Sequence, residues 1–255
     1  MDFDIKKPTH ILALLFLLLG SFSLTIFFPI LYYFISPYES FNYLETISEY
    51  ARVLFEIFAL ILQLIIVVLA FIVVPLMWYV LVNKLSLKEI RSRIQLRFKD
   101  LDMAIPWAVF AVIVGFAIIF VVGIIMTYFK YNLQEASNIP DMELIFSLPS
   151  ILVLITVQPV CEEIFYRGFL LDKISSLTSE KIAIVSTGIL FGIAHLTYAN
   201  IYPAILTAIL GMIFAYAVTK TKNLTTGIIA HITYNVISIA LYIFARSVLF
   251  ESLIL

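Results

Sequence analysis

The chain has 255 residues, of which 63% are hydrophobic and 13% are charged, and its formal net charge is −1. Soluble domains carry about 25% charged residues, so this composition is typical of a membrane protein. The near-zero net charge gives no basis for nucleic-acid binding. The single cysteine, Cys161, excludes an intrachain disulfide and a multi-cysteine zinc site.

Apolar runs long enough to cross a bilayer recur along the chain. Residues 1–10 are a short polar head, and the run that follows is longer than a signal-peptide core, so we expect a membrane anchor there. We expect an all-α fold, a polytopic transmembrane helical bundle of about seven helices. Eight is the alternative count, because the second run is long and the fourth contains two prolines. The seven predicted spans are residues 11–35, 53–82, 105–129, 144–171, 182–198, 201–218 and 225–245, with a tight turn at Ala199 and Asn200 between the fifth and sixth.

The basic segments lie at every second boundary between these spans. They are the polar head and residues 84–99, 173–181 and 220–222, and the boundaries between them are poor in lysine and arginine. Because basic loops stay on the cytoplasmic side, this alternation predicts a multi-pass integral membrane protein with a cytoplasmic N-terminus.

The segment 84–101 combines basic residues with Leu87, Ile90, Ile94 and Leu101 at roughly helical spacing. This pattern favours a helix that lies in the membrane interface. The alternative is a solvated loop whose charges only set the topology.

A cluster of charges follows Pro159 in the fourth span. Glu162 and Glu163 are adjacent, and Arg167 follows Glu163 at i, i+4 on the same helix face. Glu162 is rotated by about 100° and has no counter-ion on its own helix. One carboxylate held by arginine beside one that can handle protons suits acid/base catalysis. The alternative is a helix-end ion pair at the membrane surface, with Glu162 in water.

Two further spans carry polar residues at a similar depth. His195 lies in the fifth span, and His231 and Asn235 share one face of the seventh at i, i+4. Together with Glu162 they lie roughly 10–20 Å from the nearest cytoplasmic boundary, at the rise of an α-helix. Gly188 and Gly192 allow close approach of a neighbouring helix, which would bring His195 toward the other residues. His10, in the polar head, is assigned no role.

These motifs resemble the CPBP family of intramembrane proteases, named for CAAX processing and bacteriocin processing, which includes the type II CAAX prenyl endopeptidases. The resemblance covers roughly residues 144–245. The motifs are Glu162-Glu163-x-x-x-Arg167, Phe191-x-x-x-His195 and His231-x-x-x-Asn235, in this order on successive motif-bearing helices.

The resemblance implies a division of labour within the site. Glu162 would activate water with the help of His195, and His231 and Asn235 would stabilise the oxyanion at the scissile carbonyl. Glu163, Arg167 and Phe191 would be supporting residues. The implied active site is open to the cytoplasmic side of the lipid bilayer, and the implied substrate is a prenylated CAAX-type tail or another membrane-embedded peptide or protein.

Metal use stays open at this point. No cofactor is favoured, because an oxyanion hole assisted by asparagine does not require zinc. Zinc is nevertheless feasible, since Glu162, His195 and His231 together are a set of ligands that zinc accepts.

The predicted organisation has three parts. Residues 1–143 hold the N-terminal helices with the basic loop 84–101, residues 144–245 form the catalytic core, and residues 246–255 are a short tail. Two other functions compete with an intramembrane endopeptidase. A proton- or ion-coupled transporter would use the same buried charges but should show inverted repeats, which the sequence lacks. A non-catalytic immunity or scaffold protein would tolerate degenerate motifs, whereas these are intact.

Overall fold

The structure, a computed structural model, describes residues 3–35, 48–130, 139–196 and 201–252. Within these ranges it contains helices and no strands, which confirms the all-α prediction. The predicted turn at Ala199 and Asn200 lies outside the described residues. In chain order the helices are α1 (Pro8–Phe34), α2 (Glu49–Leu81), α3 (Leu87–Arg93), α4 (Leu101–Tyr128), α5 (Ile139–Ile145), α6 (Leu148–Leu177), α7 (Glu180–Ile193), α8 (Tyr202–Thr221) and α9 (Leu224–Ser252).

Six of the described helices, α1, α2, α4, α6, α8 and α9, are long and apolar enough to cross a membrane, which indicates a multi-pass integral membrane protein. The prediction of seven spans, or eight, exceeds this number. The difference is the predicted fifth span, where α7 has 14 residues and ends at Ile193. A helix of that length is about 21 Å long, shorter than the roughly 30 Å hydrocarbon core. Apolar residues continue past Ile193, whereas the helix ends there.

Helix α6 lies between the N-terminal helices and the other motif-bearing helices. Its buried rings Phe165 and Phe169 pack against α2, with centroids 5.2 Å from Phe71 and 5.4 Å from Tyr79. On its other sides α6 contacts α7 and α9. Aromatic pairs at these separations stabilise by about 0.5–1.5 kcal/mol beyond the area that they bury. The N-terminal helices therefore support the helix that carries the two glutamates.

Directly after Glu163, α6 changes from α-helical to π-helical hydrogen bonding over Ile164–Leu170. The same geometry also occurs over Leu17–Phe27 in α1 and Leu69–Val73 in α2, so it does not by itself mark a functional site. The turn that follows the two carboxylates, and that contains Arg167, is locally widened. The charged motif coincides with this change in helix geometry.

The contact between α7 and α8 confirms the packing predicted from Gly188 and Gly192. A Cβ atom added at Gly188 would lie 2.9 Å from the carbonyl oxygen of Ala208 and closer still to Met212. A Cβ at Gly192 would collide with the backbone of Ala204 and the side chain of Ala208. Glycine at these positions lets α7 approach α8 closely, as small residues do in membrane bundles.

The segment between α2 and α4 contains a helix shorter than predicted. Helix α3 spans Leu87–Arg93 and begins at a capping box in which Ser86 and Glu89 satisfy each other's backbone N–H groups. Of the apolar residues that defined the pattern, Ile90 and Ile94 are buried, whereas Leu87 and Leu101 are exposed. The helix is confirmed, and its position in a membrane interface remains a prediction.

Candidate active site

Glu163 and Arg167 form the predicted ion pair on α6. Arg167 Nη1 donates to Glu163 Oε1 at 2.7 Å, and neither side chain has any exposed surface. Arg167 also donates through Nη2 to the carbonyl oxygen of Gly211 on α8 at 3.0 Å. Gly227 allows α9 to approach, since a Cβ there would lie 2.5 Å from Glu163 Oε2. The ion pair thus joins three helices in the interior of the bundle, which excludes the surface alternative.

Glu162, its neighbour, has a different environment. Its side chain is 6% exposed, and it forms no ion pair with lysine or arginine among the described residues. Instead Glu162 Oε1 accepts a hydrogen bond from Gln158 Nε2 at 2.7 Å, and Gln63 Nε2 on α2 donates to Gln158 Oε1 at 3.3 Å. Burial without a cationic neighbour distinguishes Glu162 from Glu163, as the helical spacing predicted.

His231 lies between the two glutamates. Its Nδ1 is 3.0 Å from Glu163 Oε1, and its Nε2 is 3.8 Å from Glu162 Oε2. Because Glu163 is paired with Arg167, its carboxylate acts as the acceptor and the Nδ1–H of His231 as the donor. The Nε2 atom of His231 is therefore presented to Glu162.

His195 follows α7 and reaches the same cluster. Its Nδ1 lies 2.8 Å from the carbonyl oxygen of Phe191. A carbonyl oxygen only accepts, so Nδ1 carries the proton and Nε2 is left for another contact.

Phe191 is a common packing surface for the site. Its ring is buried and lies 4.7 Å from the ring of His195 and 5.6 Å from that of His231, both edge-on. The guanidinium of Arg167 lies 4.5 Å from the centroid of the same ring. Phe191 therefore fixes both imidazoles and contributes a cation–π contact to the buried arginine.

Asn235 is half-buried on α9, one turn beyond His231. Among the residues that the structure describes, no hydrogen bond involves its side-chain amide. The i, i+4 spacing places the amide on the helix face that carries His231. The structure thus brings Glu162, Glu163, Arg167, Phe191, His195 and His231 into one cluster, and Asn235 lies at its edge.

Comparison with known proteins supports the same region. Residues 144–237 match the family model described as type II CAAX prenyl endopeptidase Rce1-like. Residues 144–237 are a Rce1-like domain. This range includes all seven predicted site residues, and the family recognised from the motifs is confirmed.

Two curated relatives of the chain carry no described activity. An uncharacterized protein of Mycoplasma capricolum subsp. capricolum is 27% identical over 174 residues, which cover 62% of this chain and 50% of the relative. The uncharacterized protein YyaK of Bacillus subtilis strain 168 is 29% identical over 114 residues, which cover 42% and 36%. The chain thus spans half or less of the length of these relatives. No solved structure matches it significantly.

The Rce1-like domain does not arrange its acidic and histidine side chains as a metal site. In the described part of the chain, no group of three or more His, Cys, Asp or Glu side chains has an arrangement that holds a metal ion. The proposed zinc ligands Glu162, His195 and His231 do not meet this requirement. Nδ1 of His231 contacts Glu163 and Nδ1 of His195 contacts Phe191, so any further ligand of either ring would meet its Nε2 atom.

The sequence analysis did not single out Gln158 and Gln63. Gln158 precedes Glu162 by four residues, so a polar residue at that spacing inside an apolar span was a usable signal. Gln63 had no comparable signal, because it is 95 residues away from Gln158 and lies outside the Rce1-like domain. Only the packing of α2 against α6 brings the two amides together.

Proposed function

We propose that this protein is an intramembrane endopeptidase that hydrolyses a peptide bond with a water molecule activated by Glu162. The observation that carries the proposal is the contrast between two adjacent buried carboxylates. Glu163 is neutralised by Arg167 at 2.7 Å, whereas Glu162 is bound by an amide and faces the Nε2 atom of His231 at 3.8 Å. Purely structural burial favours paired charges, so an unpaired carboxylate in a histidine cluster indicates a general base.

In the proposed reaction, Glu162 takes a proton from water while the water oxygen bonds to the scissile carbonyl carbon. His195 positions the same water through Nε2, since its Nδ1–H is held by the carbonyl of Phe191. The proton on Glu162 then passes to the peptide nitrogen as the C–N bond breaks. A general acid/base of this kind contributes about 10²–10⁴-fold to a rate.

His231 and Asn235 are the proposed oxyanion donors. The amide of Asn235 forms no hydrogen bond with the described residues and can donate to the oxyanion, and His231 donates from Nε2 when both ring nitrogens are protonated. Removing one donor of this kind in other enzymes costs about 2.7–4 kcal/mol of transition-state stabilisation. Glu163, Arg167 and Phe191 hold His231 in place, and Gln158, with Gln63 behind it, positions Glu162.

The substrate class is proposed from the family description and the membrane setting. A peptide with a prenylated CAAX-type C-terminus, or another membrane-associated peptide, would bind within the proposed catalytic core, residues 144–245. The distribution of basic residues among the loops supports an orientation in which the open side of the site faces the cytoplasm. A Lys88→Cys variant tests this orientation, because the native Cys161 is buried. Labelling of position 88 by a membrane-impermeant maleimide applied from outside intact cells would reverse the topology.

The proposal is tested by cleavage of a fluorogenic farnesylated CAAX peptide by the purified protein in detergent. Wild type should cleave the peptide, and Glu162→Gln, which keeps the side-chain volume, should lose at least about 100-fold in kcat. A strong zinc chelator should leave wild-type turnover unchanged, because the proposed reaction uses Glu162 as the base and no metal ion. Near-normal turnover by Glu162→Gln would contradict the proposed role of Glu162 as the base. If the protein cleaves only unprenylated membrane peptides, the proposed substrate is wrong and the proposed mechanism still applies.

A further inference from the structure

Residues 84–99, here called the basic strap, connect α2 to α4. Both helices are long and apolar enough to cross a membrane, so the strap lies at a membrane surface whichever way the protein is inserted. The proposed peptidase reaction uses none of its side chains. The two faces of the strap differ in chemistry, and that difference indicates a ligand.

The inner face of the strap is fixed to the Rce1-like domain. Ile90 and Ile94 are buried in the core, and Arg93 Nε forms an ion pair with Asp172 Oδ1 of α6 at 2.8 Å. A Cβ added at Gly168 of α6 would lie 3.1 Å from Cβ of Ile94, so the strap packs closely on α6.

The second half of the strap is bound to the connection between α8 and α9. The carbonyl oxygens of Gln95, Arg97 and Lys99 accept hydrogen bonds from the backbone of Leu224 at 2.9 Å, from Thr225 Oγ1 at 2.7 Å and from Asn223 Nδ2 at 3.1 Å. The carbonyl groups of every second residue from 95 to 99 therefore point toward the connection between α8 and α9. The backbone of the strap is held in place before any ligand arrives.

The outer face of the strap presents cations beside large apolar side chains. Leu87 is 73% exposed and Phe98 is 64% exposed, and the guanidinium of Arg91 lies 5.5 Å from the centroid of the Phe98 ring. Four further cations are exposed on this segment, and none of them takes part in an ion pair with the residues that the structure describes. They are Lys84, Lys88, Arg97 and Lys99.

We propose that the outer face of the basic strap binds anionic phospholipid headgroups of the adjacent leaflet. The unpaired cations suit lipid phosphates, and Leu87 and Phe98 suit the boundary between headgroups and acyl chains. A segment that only set the topology would have no need for exposed leucine and phenylalanine. A rigid backbone also lowers the ordering cost of binding. The strap that carries the proposed lipid contact packs with its opposite face against α6 and the start of α9, two of the helices that carry the site.

The test compares binding of two lipids with the same acyl chains, phosphatidylglycerol and phosphatidylcholine, to the purified full-length chain in non-ionic detergent. Native mass spectrometry counts the lipid adducts. Wild type should prefer phosphatidylglycerol by at least about fivefold, because even one cation near a lipid surface contributes about fivefold in affinity. Equal retention of the two lipids by wild type would overturn the proposal.

The main variant carries Lys84→Gln, Lys88→Gln, Arg97→Gln and Lys99→Gln, which leaves the inward-pointing carbonyls and the Arg93–Asp172 pair intact. It should lose the preference for phosphatidylglycerol. The control replaces four exposed cations outside the strap, Lys6, Lys130, Lys181 and Lys220, by glutamine. It removes the same charge, and it includes a position with positive φ, Lys130, to match Lys84. It should bind like wild type, and loss of preference in both variants would show a nonspecific charge effect and overturn the assignment.

Two further measurements separate the parts of the proposal. Leu87→Ser with Phe98→Ser should weaken retention of both lipids while the preference for phosphatidylglycerol persists. Free glycerol 3-phosphate at the same concentration should not displace bound phosphatidylglycerol. Displacement by the soluble phosphate would show that the strap binds small anions in general, and it would overturn the proposal of a lipid ligand. Because adducts are counted directly, these outcomes do not depend on peptidase activity.

Discussion

The two halves of the bundle bury polar groups in different ways. In the N-terminal helices, the buried polar side chains of Ser21 and His10 bond to backbone atoms. Ser21 donates to the carbonyl of Ala70, and His10 Nδ1 accepts from the backbone N–H of Asp4 at 2.9 Å. In the Rce1-like domain, buried Glu163 and His231 instead bond to each other across helices.

This difference distinguishes buried polar side chains that stabilise the fold from those that we propose take part in the reaction. For Ser21 and His10, the hydrogen bond to the backbone is satisfied in one protonation state. A cluster of ionisable side chains can exchange protons, but it is stable only while its charges stay balanced. The predictions below use matched pairs of residues, one from the cluster and one from elsewhere in the chain.

The largest effect is expected from the buried ion pair. Arg167→Met leaves the carboxylate of Glu163 buried and uncompensated, which should destabilise the protein by about 3–5 kcal/mol. The matched change is Arg93→Gln, which removes an ion pair in which the arginine is 51% exposed. That pair should contribute about 1 kcal/mol or less. Unfolding in detergent, followed by circular dichroism, measures both, and equal losses would contradict the comparison.

The histidines give the second comparison. His195→Ala should lower kcat for the fluorogenic peptide by about 100-fold, because the proposed water loses its second hydrogen-bonding partner. His10→Ala should leave kcat unchanged and lower stability, since the buried His10 accepts from Asp4 N–H and packs beside Phe3. A similar loss of kcat in both variants would mean that the effect is transmitted through the fold. The assignment of His195 would then be withdrawn.

Glycine substitutions test the packing that brings His195 to the site. Gly192→Ala should destabilise by about 1–3 kcal/mol, because the new methyl group collides with Ala204 and Ala208 on α8. Gly123→Ala is the control, since a Cβ there has no atom within 4 Å. In the interior of a helix that change should stabilise by up to about 1 kcal/mol. The two variants should therefore shift the unfolding midpoint in opposite directions, and a shift in the same direction would reject the close α7–α8 contact.

The sequence predicted the site well where the relevant spacing lies within one helix. Glu163 and Arg167 share a helix face by geometry alone, and the same geometry separates Glu162 from the arginine. The approach of α7 to α8 was also predictable, because Gly188 and Gly192 leave room for another backbone.

Other features required the three-dimensional structure. Hydropathy did not show that α7 ends at Ile193, since apolar residues continue beyond it. Which atom of His231 faces each glutamate depends on how α9 packs against α6. The Gln63–Gln158 contact depends on the packing of α2, whose sequence carries no motif.

The smallest effects are expected from the Gln63–Gln158 contact, which tests whether the N-terminal half contributes to the reaction. Gln158→Leu removes the donor 2.7 Å from Glu162 Oε1, so the carboxylate loses its preferred orientation. We expect kcat to fall about tenfold with little change in KM, because orientation affects the transition state and not substrate binding. Thr156→Val is the control on the same helix, since its exposed hydroxyl bonds only to its own helix.

Gln63→Leu should lower kcat by about two- to threefold, because it frees Gln158 and leaves the direct bond to Glu162 intact. Gln63→Glu keeps a hydrogen-bonding oxygen but places a second carboxylate near Glu162, so its effect should exceed that of Gln63→Leu. Steady-state kinetics on the fluorogenic peptide measure both. If Gln63→Leu and Gln63→Glu match wild type while Gln158→Leu is impaired, α2 only supports α6 by packing. A graded loss from Gln158 to Gln63 would instead show that a residue outside the Rce1-like domain helps to orient the proposed base.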